Sequence, residues 1–274
     1  MINLIFGTAG IPIRCKKRDS VLGIQTVREL SLDAMELEFV QRVSMGEDKA
    51  KEVLKASERY NVKLSVHAPY YINLNSEDEK KIEASRERIL LASRIGNLCG
   101  AGVCVIHAGF YHKDSKKTVF ERMRKHLKEL SDILSLEGIK IRLGIETAGK
   151  KTQFGTLEEV LKLSDIDLAC PVVDFSHIHA RENGVLKGEE DFSSILESIE
   201  SYDRGLLEDL HMHVQGIEYS LKGERRHLNL DESDLNYKAL LRVLKSFEVS
   251  GTVICESPNI EEDAMLLKRF YERI

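Results

Sequence analysis

The sequence predicts a closed (β/α)8 barrel, and three observations carry that prediction. Short apolar runs alternate with longer amphipathic segments along the whole chain, eight of each. The length of 274 residues suits one such barrel, for which about 250 residues is typical. Finally, His, Glu and Asp recur at the ends of the apolar runs, where an α/β barrel gathers its chemistry.

Strands are expected over residues 3–7, 34–39, 64–67, 103–107, 142–146, 168–174, 207–213 and 252–256. The third runs Leu64-Ser65-Val66 into His67, and the fourth Val103-Cys104-Val105-Ile106 into His107. Arg142-Leu143-Gly144-Ile145 leads into Glu146 in the fifth, and Thr252-Val253-Ile254-Cys255 into Glu256 in the eighth. Helices are expected over 20–29, 48–59, 78–98, 119–136, 157–164, 191–198, 234–246 and 261–272. Many start with acidic or hydroxyl residues, which satisfy free backbone N–H groups and complement the helix dipole. A strand followed by a helix, eight times over, implies a parallel sheet that closes on itself. No Pro-, Gly- or Ser-rich linker divides the chain, so residues 1–274 are expected to form a single barrel domain. Residues 216–233 are expected to be the longest loop. Their Lys222, Glu224, Arg225, Arg226 and His227 mark it as functional.

Hydrophobic residues make up 42% of the chain, enough for a large core, and no apolar run approaches the roughly 20 residues that cross a bilayer. A cytoplasmic chain without a membrane partner is the expectation. Cys15, Cys99, Cys104, Cys170 and Cys255 are odd in number and form no CxxC pair, which reads as reduced structural thiols. The formal charge of −5 gives no global electrostatic case for nucleic-acid binding, although a local basic rim is compatible with it.

A lone His at a strand end is more often a hydrogen-bonded structural residue than a ligand. His67 and His107 end neighbouring strands, however, and closure brings both to one rim. Glu146 and Glu256 finish apolar strands, where a buried carboxylate is costly without a cation or donors. Asp174 ends the sixth strand, and His177 follows three residues later in the next turn. His211 and His213 are two apart on one strand, so both face the same way and both are metal candidates. His227 lies in the charged loop, and His179 reads as exposed or structural. The set His67, His107, Glu146, Asp174, His177, one of His211 and His213, His227 and Glu256 exceeds the needs of one four-coordinate ion. It suits two or three neighbouring ions and displacement at phosphorus.

Around these residues the chain resembles the endonuclease IV family of apurinic/apyrimidinic endonucleases, within the wider group of xylose-isomerase-like TIM barrels. The resemblance spans most of the chain. It rests on His67-Ala68-Pro69-Tyr70 with Ile72-Asn73-Leu74, Ile145-Glu146-Thr147-Ala148-Gly149, Val173-Asp174-Phe175-Ser176-His177 and Cys255-Glu256-Ser257-Pro258. It implies a zinc held by His67, His107 and a bridging, catalytic Glu146. A second would be held by Glu146, Asp174, Glu256 and His211 or His213, with Met212-His213-Val214 favouring His213. A third would use His177 and His227, but the family's Asp two residues before His227 is Arg225 here. Glu224 is one replacement; a two-metal site with Arg225 and Arg226 on a phosphate is another.

The resemblance further implies Zn2+ as cofactor, with Mn2+ as an alternative, and a monomer. The activity implied is hydrolysis of the phosphodiester 5′ to abasic sites in double-stranded DNA, as in base excision repair. Tyr70 would lie beside the abasic nucleotide, and Arg42 in a DNA-contacting loop. Two other readings use the same barrel. A single-metal sugar isomerase or epimerase would need only Glu146, Asp174, one histidine of the 211/213 pair and Glu256. A non-catalytic barrel would bind damaged nucleic acid without turnover.

Overall fold

The computed structural model describes residues 4–274, so the expected start of the first strand at residue 3 lies outside it. Eight parallel strands close into a barrel: β1 (Leu4–Ala9), β2 (Ala34–Glu38), β3 (Lys63–His67), β4 (Val103–Ile106), β5 (Arg142–Glu146), β6 (Ala169–Asp174), β7 (Leu210–Val214) and β10 (Gly251–Cys255). Neighbours follow chain order, and β1 closes the ring by pairing β2 on one side and β10 on the other. Closure needs a small residue at Gly7, where a Cβ would stand 2.2 Å from the carbonyl oxygen of Ala34.

The outer layer comprises α1 (Ser20–Glu29), α2 (Glu47–Tyr60), α3 (Glu79–Leu98), α4 (Lys116–Leu136), α5 (Leu157–Leu163), α6 (Phe175–Arg181), α7 (Glu189–Asp203), α8 (Tyr237–Ser246) and α9 (Glu261–Tyr271). Side chains of Asp19, Asp78, Ser115 and Asn236 cap α1, α3, α4 and α8, and Thr156 with Glu159 forms a capping box on α5. The main apolar core lies between this layer and the strands. Alternate strand residues build two small separate clusters, Val103, Val105, Cys170 and Val172, and Ile5, Ala34 and Ile254. Buried polar side chains share the strands with them: Thr8, Glu36, Ser65, His67, His211 and His213. No helix among the described residues is long and apolar enough to cross a membrane. All five cysteines are free, four of them buried.

Three expectations need correction. Residues 216–233 are not an open loop: β8 (Gly216–Ser220) and β9 (Gly223–Leu228) form an antiparallel hairpin, followed by a short 3-10 helix at Leu230–Glu232. Its polar composition hid a strand pair whose stability comes from docking. Residues following Asp174 form helix α6 rather than a turn, with Asp174 as N-cap accepting from the His177 amide at 2.7 Å. Leu207 does not begin β7; it is a buried anchor in a 3-10 helix, Arg204–Glu208, and its burial rather than strand pairing explains its apolar character.

Candidate metal centre

The barrel register delivers ionisable side chains to the C-terminal ends of the strands. His67 ends β3, His107 follows β4, and Glu146 and Asp174 end β5 and β6; His213 lies on β7 and Glu256 follows β10. The first turn of α6 supplies His177, and β9 supplies Glu224 and His227.

These residues fall into three adjoining donor sets. In the first, His67 Nε2 and His107 Nε2 lie 3.4 and 3.0 Å from Glu146 Oε2. The second combines Glu146, Asp174, His213 and Glu256, with His213 Nδ1 3.2 Å from Glu146 Oε1 and 3.4 Å from Glu256 Oε1. Glu146 therefore turns one carboxylate oxygen toward each set. His177, Glu224 and His227 make the third, where Glu224 is 3.6 Å from His177 Nε2 and 3.8 Å from His227 Nε2. His177 Nδ1 also approaches Glu146 Oε1 and Asp174 Oδ2, at 3.1 and 3.0 Å. Glu146 is 1% exposed and Asp174 is fully buried, yet Glu146 Oε2 has no aligned hydrogen-bond partner. A buried carboxylate oxygen that faces two imidazoles without an aligned hydrogen bond fits cation ligation.

The electrostatics agree with that fit. Burial disfavours the Glu146 carboxylate, but the positive charges of His107 and His213 outweigh it and hold the group well below the usual carboxylate range. Burial also opposes protonation of His67, yet contact with Glu146 and the charge of Glu38 raise its pKa to about 10. His213 and His177 are likewise raised: burial is overcome by Glu256 at the first and Asp174 at the second. Burial pulls His107 down to about 4 and lifts Asp174 to about 6. Protons on imidazoles thus balance the carboxylates, and divalent cations would take their place.

Glu224 reaches the third set through a β-bulge. Glu218 pairs with Arg226 and Tyr219 with Glu224, so Arg225 has no residue opposite it. The extra residue shifts the strand's alternation, and Glu224 and His227, three apart, both face the site. The hairpin is seated by Glu224 N donating to Gly149 O at 2.9 Å. At Gly223, with φ of +96°, a Cβ would lie 2.3 Å from Gly149 O. Buried Arg181 locks the β5–α5 loop beneath, donating to the carbonyls of Ala148, Lys150 and Gln153 at 3.1, 2.6 and 3.0 Å.

A cleft of about 250 Å³ opens over the three sets, lined by His67, Tyr70, His107, Lys150, His177 and Glu256 among others. A larger cavity of about 470 Å³ lies at the opposite end of the strands, remote from the donor sets. Tyr70 is 54% exposed, with its ring 5.5 Å from that of His67. Arg42 is exposed after β2 and does not line the cleft. Arg225 and Arg226 are also outside it, both paired with Glu218 at 2.8 and 2.6 Å. His211 stands lower on β7 than His213, 3.1 Å from Glu36 and lining the cavity at the far end. His179 is buried and structural, contacting Asp234 at 3.0 Å and accepting from Leu186 N at 3.0 Å.

Sequence reasoning missed Glu36 and Glu38 on β2, Gln215 and Lys150. Gln215 donates to Asp174 Oδ2 at 2.8 Å. Burial pushes Glu38 up to about 8. The signal for the two carboxylates was present in Ala34-Met35-Glu36-Leu37-Glu38, where the period of two that aligns His211 with His213 also aligns Glu36 with Glu38.

The fold is a closed parallel barrel with a ring of side chains at its C-terminal rim that could hold metal ions. Residues 24–272 match the family described as xylose isomerase-like TIM barrel, and the chain belongs to that family. It is 44% identical over 274 residues to an uncharacterized protein of Methanocaldococcus jannaschii, covering 100% of this chain and 98% of the relative. A probable endonuclease 4 of Carboxydothermus hydrogenoformans is 26% identical over 245 residues, 84% of this chain and 82% of the relative. Among solved structures, endonuclease IV from Thermus thermophilus superposes with a TM-score of 0.72 at 18% identity, covering 97% of this chain and 98% of that one. A D-tagatose 3-epimerase-like protein gives a TM-score of 0.72 at 22% identity, covering 97% and 96%. Both structural likenesses speak to the fold alone.

Proposed function

We propose that the chain is a metal-dependent apurinic/apyrimidinic endonuclease that hydrolyses the phosphodiester 5′ to abasic sites in double-stranded DNA, as in base excision repair. The observation that carries this reading is the set of three adjoining donor clusters, two of which share Glu146. A single-ion isomerase would need only Glu146, Asp174, His213 and Glu256, leaving His67, His107, His177, Glu224 and His227 without a purpose at the rim.

The donor set is rich in imidazole with carboxylates between, which suits zinc first and manganese second. His67, His107 and Glu146 would hold one ion; Glu146, Asp174, His213 and Glu256 a second; His177, Glu224 and His227 a third. Bound ions would supply an activated water and neutralise charge developing on the phosphoryl oxygens. The protein's own part is geometric. Glu146 fixes the spacing between the first two sets, and Asp174 is oriented by Gln215 and by its capping bond to α6. Lys150 brings a cation to the cleft edge for a phosphate oxygen. The narrow cleft with Tyr70 at its mouth would admit a baseless sugar, which leaves the helix at less cost than a paired nucleotide.

The test is incision of a duplex carrying one synthetic abasic site, beside an undamaged duplex, by metal-quantified protein with and without a chelator. Metal-dependent cutting at the abasic site alone is the expected result, and Glu146→Gln should lose metal and cutting together. No incision with one ion per chain would sink the reading and favour a single-metal isomerase. Tight, stoichiometric binding of damaged DNA without turnover would instead favour a non-catalytic barrel.

A further inference from the structure

Below the three donor sets, the barrel interior holds a buried polar column that they do not use. Glu36 is fully buried on β2, and its Oε2 accepts from Ser65 Oγ at 2.6 Å and contacts His211 Nε2 at 3.1 Å. Ser65 is its direct neighbour in the β2–β3 register. Those two contacts orient the carboxylate so that Oε1 faces His213 Nε2 at 3.1 Å. The two atoms are not aligned as a full hydrogen bond, yet neither has any other partner. On the other side of the same ring, His213 Nδ1 faces Glu146 and Glu256 at 3.2 and 3.4 Å.

An imidazole that ligates through one nitrogen needs a proton on the other, and an acceptor behind it fixes which nitrogen that is. We propose that Glu36 is a positioning residue, clamped by Ser65 and His211, that holds His213 with Nε2 protonated and Nδ1 presented to the ion shared by Glu146, Asp174 and Glu256. The second histidine of the His211/His213 pair is then a partner of the clamp and not a ligand. Glu36, His211 and His213 also lie close enough to hold an ion themselves. That ion would take His213 Nε2 while Nδ1 serves the centre above, which would require stripping both protons from one ring. The inference rests on the metal-binding part of the proposed function, not on the nature of the substrate.

The experiment uses the full chain reconstituted with zinc. Zinc affinity is measured by competition with a chromophoric chelator, and long-range 1H–15N correlation of labelled histidines reports which His213 nitrogen is protonated. Glu36→Gln should weaken one zinc about 10–100-fold and alter the His213 signature, leaving the fold intact by circular dichroism. Glu36→Asp should recover part of that affinity. His213→Ala should lose the same zinc, and adding Glu36→Gln to it should cost nothing more. Wild-type affinity and His213 signature in Glu36→Gln, additive losses in the double variant, or the loss of an additional ion would each overturn the proposal. If Glu36→Gln does not fold, Glu36→Asp and the wild-type spectrum decide; a wild-type His213 ligated through Nε2 overturns it. A wild-type chain that takes up no zinc overturns it too. Zinc behaviour as expected without abasic-site incision would refute only the nuclease reading.

Discussion

Glu224 stands one position before the place where the family resemblance calls for an aspartate, and it is the residue on which the third donor set depends. It supplies the carboxylate between His177 and His227 and is largely buried. Glu224→Ala should therefore release one ion and leave two, as read by metal analysis of the purified chain, with the first two sets intact. Retention of all ions would place the third elsewhere. His67 keeps its proton up to about pH 10 because Glu146 and Glu38 overcome the effect of burial. An ion must displace that proton, so apparent zinc affinity should rise with pH across the range below 10, about tenfold per unit for each proton released. Calorimetry in buffers of different protonation enthalpy measures the release; a flat profile would mean that His67 is not a ligand.

Among the elements, the hairpin shows why a count of residues along a strand can mislead. A regular strand puts residues two apart on one face, but Arg225 bulges out and sends Glu224 and His227, three apart, to the same side. Deleting Arg225 should restore a regular strand with both side chains still inward, preserving the proposed third ion. Inserting a further residue beside it should abolish that ion. Metal content of the two variants distinguishes the outcomes. Beneath the hairpin, Arg181 holds three loop carbonyls from a buried position. Arg181→Ala would strand them, and a loss of about 2–4 kcal/mol in chemical denaturation is expected. Sequence reading located the barrel strands because their short apolar runs alternate with longer amphipathic segments. It did not find β8 and β9, because residues such as Glu218, Arg225 and Arg226 pair with each other on an exposed surface and leave no hydrophobic period. Glu36 escaped for a related reason: a carboxylate inside an apolar strand gains meaning only when closure brings His211 and His213 across to it.

For the molecule as a whole, the fold class was legible because eight repetitions of one pattern leave few alternatives, and the donor set because strand ends converge on closure. The vertical order of the interior was not, since spacing alone does not distinguish His213 at the centre from His211 beneath it. Barrel interiors are ordinarily filled with branched apolar side chains. Here Glu36, Ser65, His211 and His213 occupy part of that space, and Glu146 and Asp174 lie buried above them. A cation held by the folded chain and not by the unfolded one would make occupancy a contributor to stability. At a free zinc concentration a thousandfold above Kd, one site adds about 4.1 kcal/mol. For a chain of this size that corresponds to a rise of roughly 7 °C in Tm. Scanning calorimetry with zinc and with a chelator should reveal it, and equal midpoints would mean that the column is self-sufficient. Metal supply would then govern how long each copy of the chain survives. A copy without ions would be the one most exposed to unfolding, so empty molecules would be cleared before loaded ones.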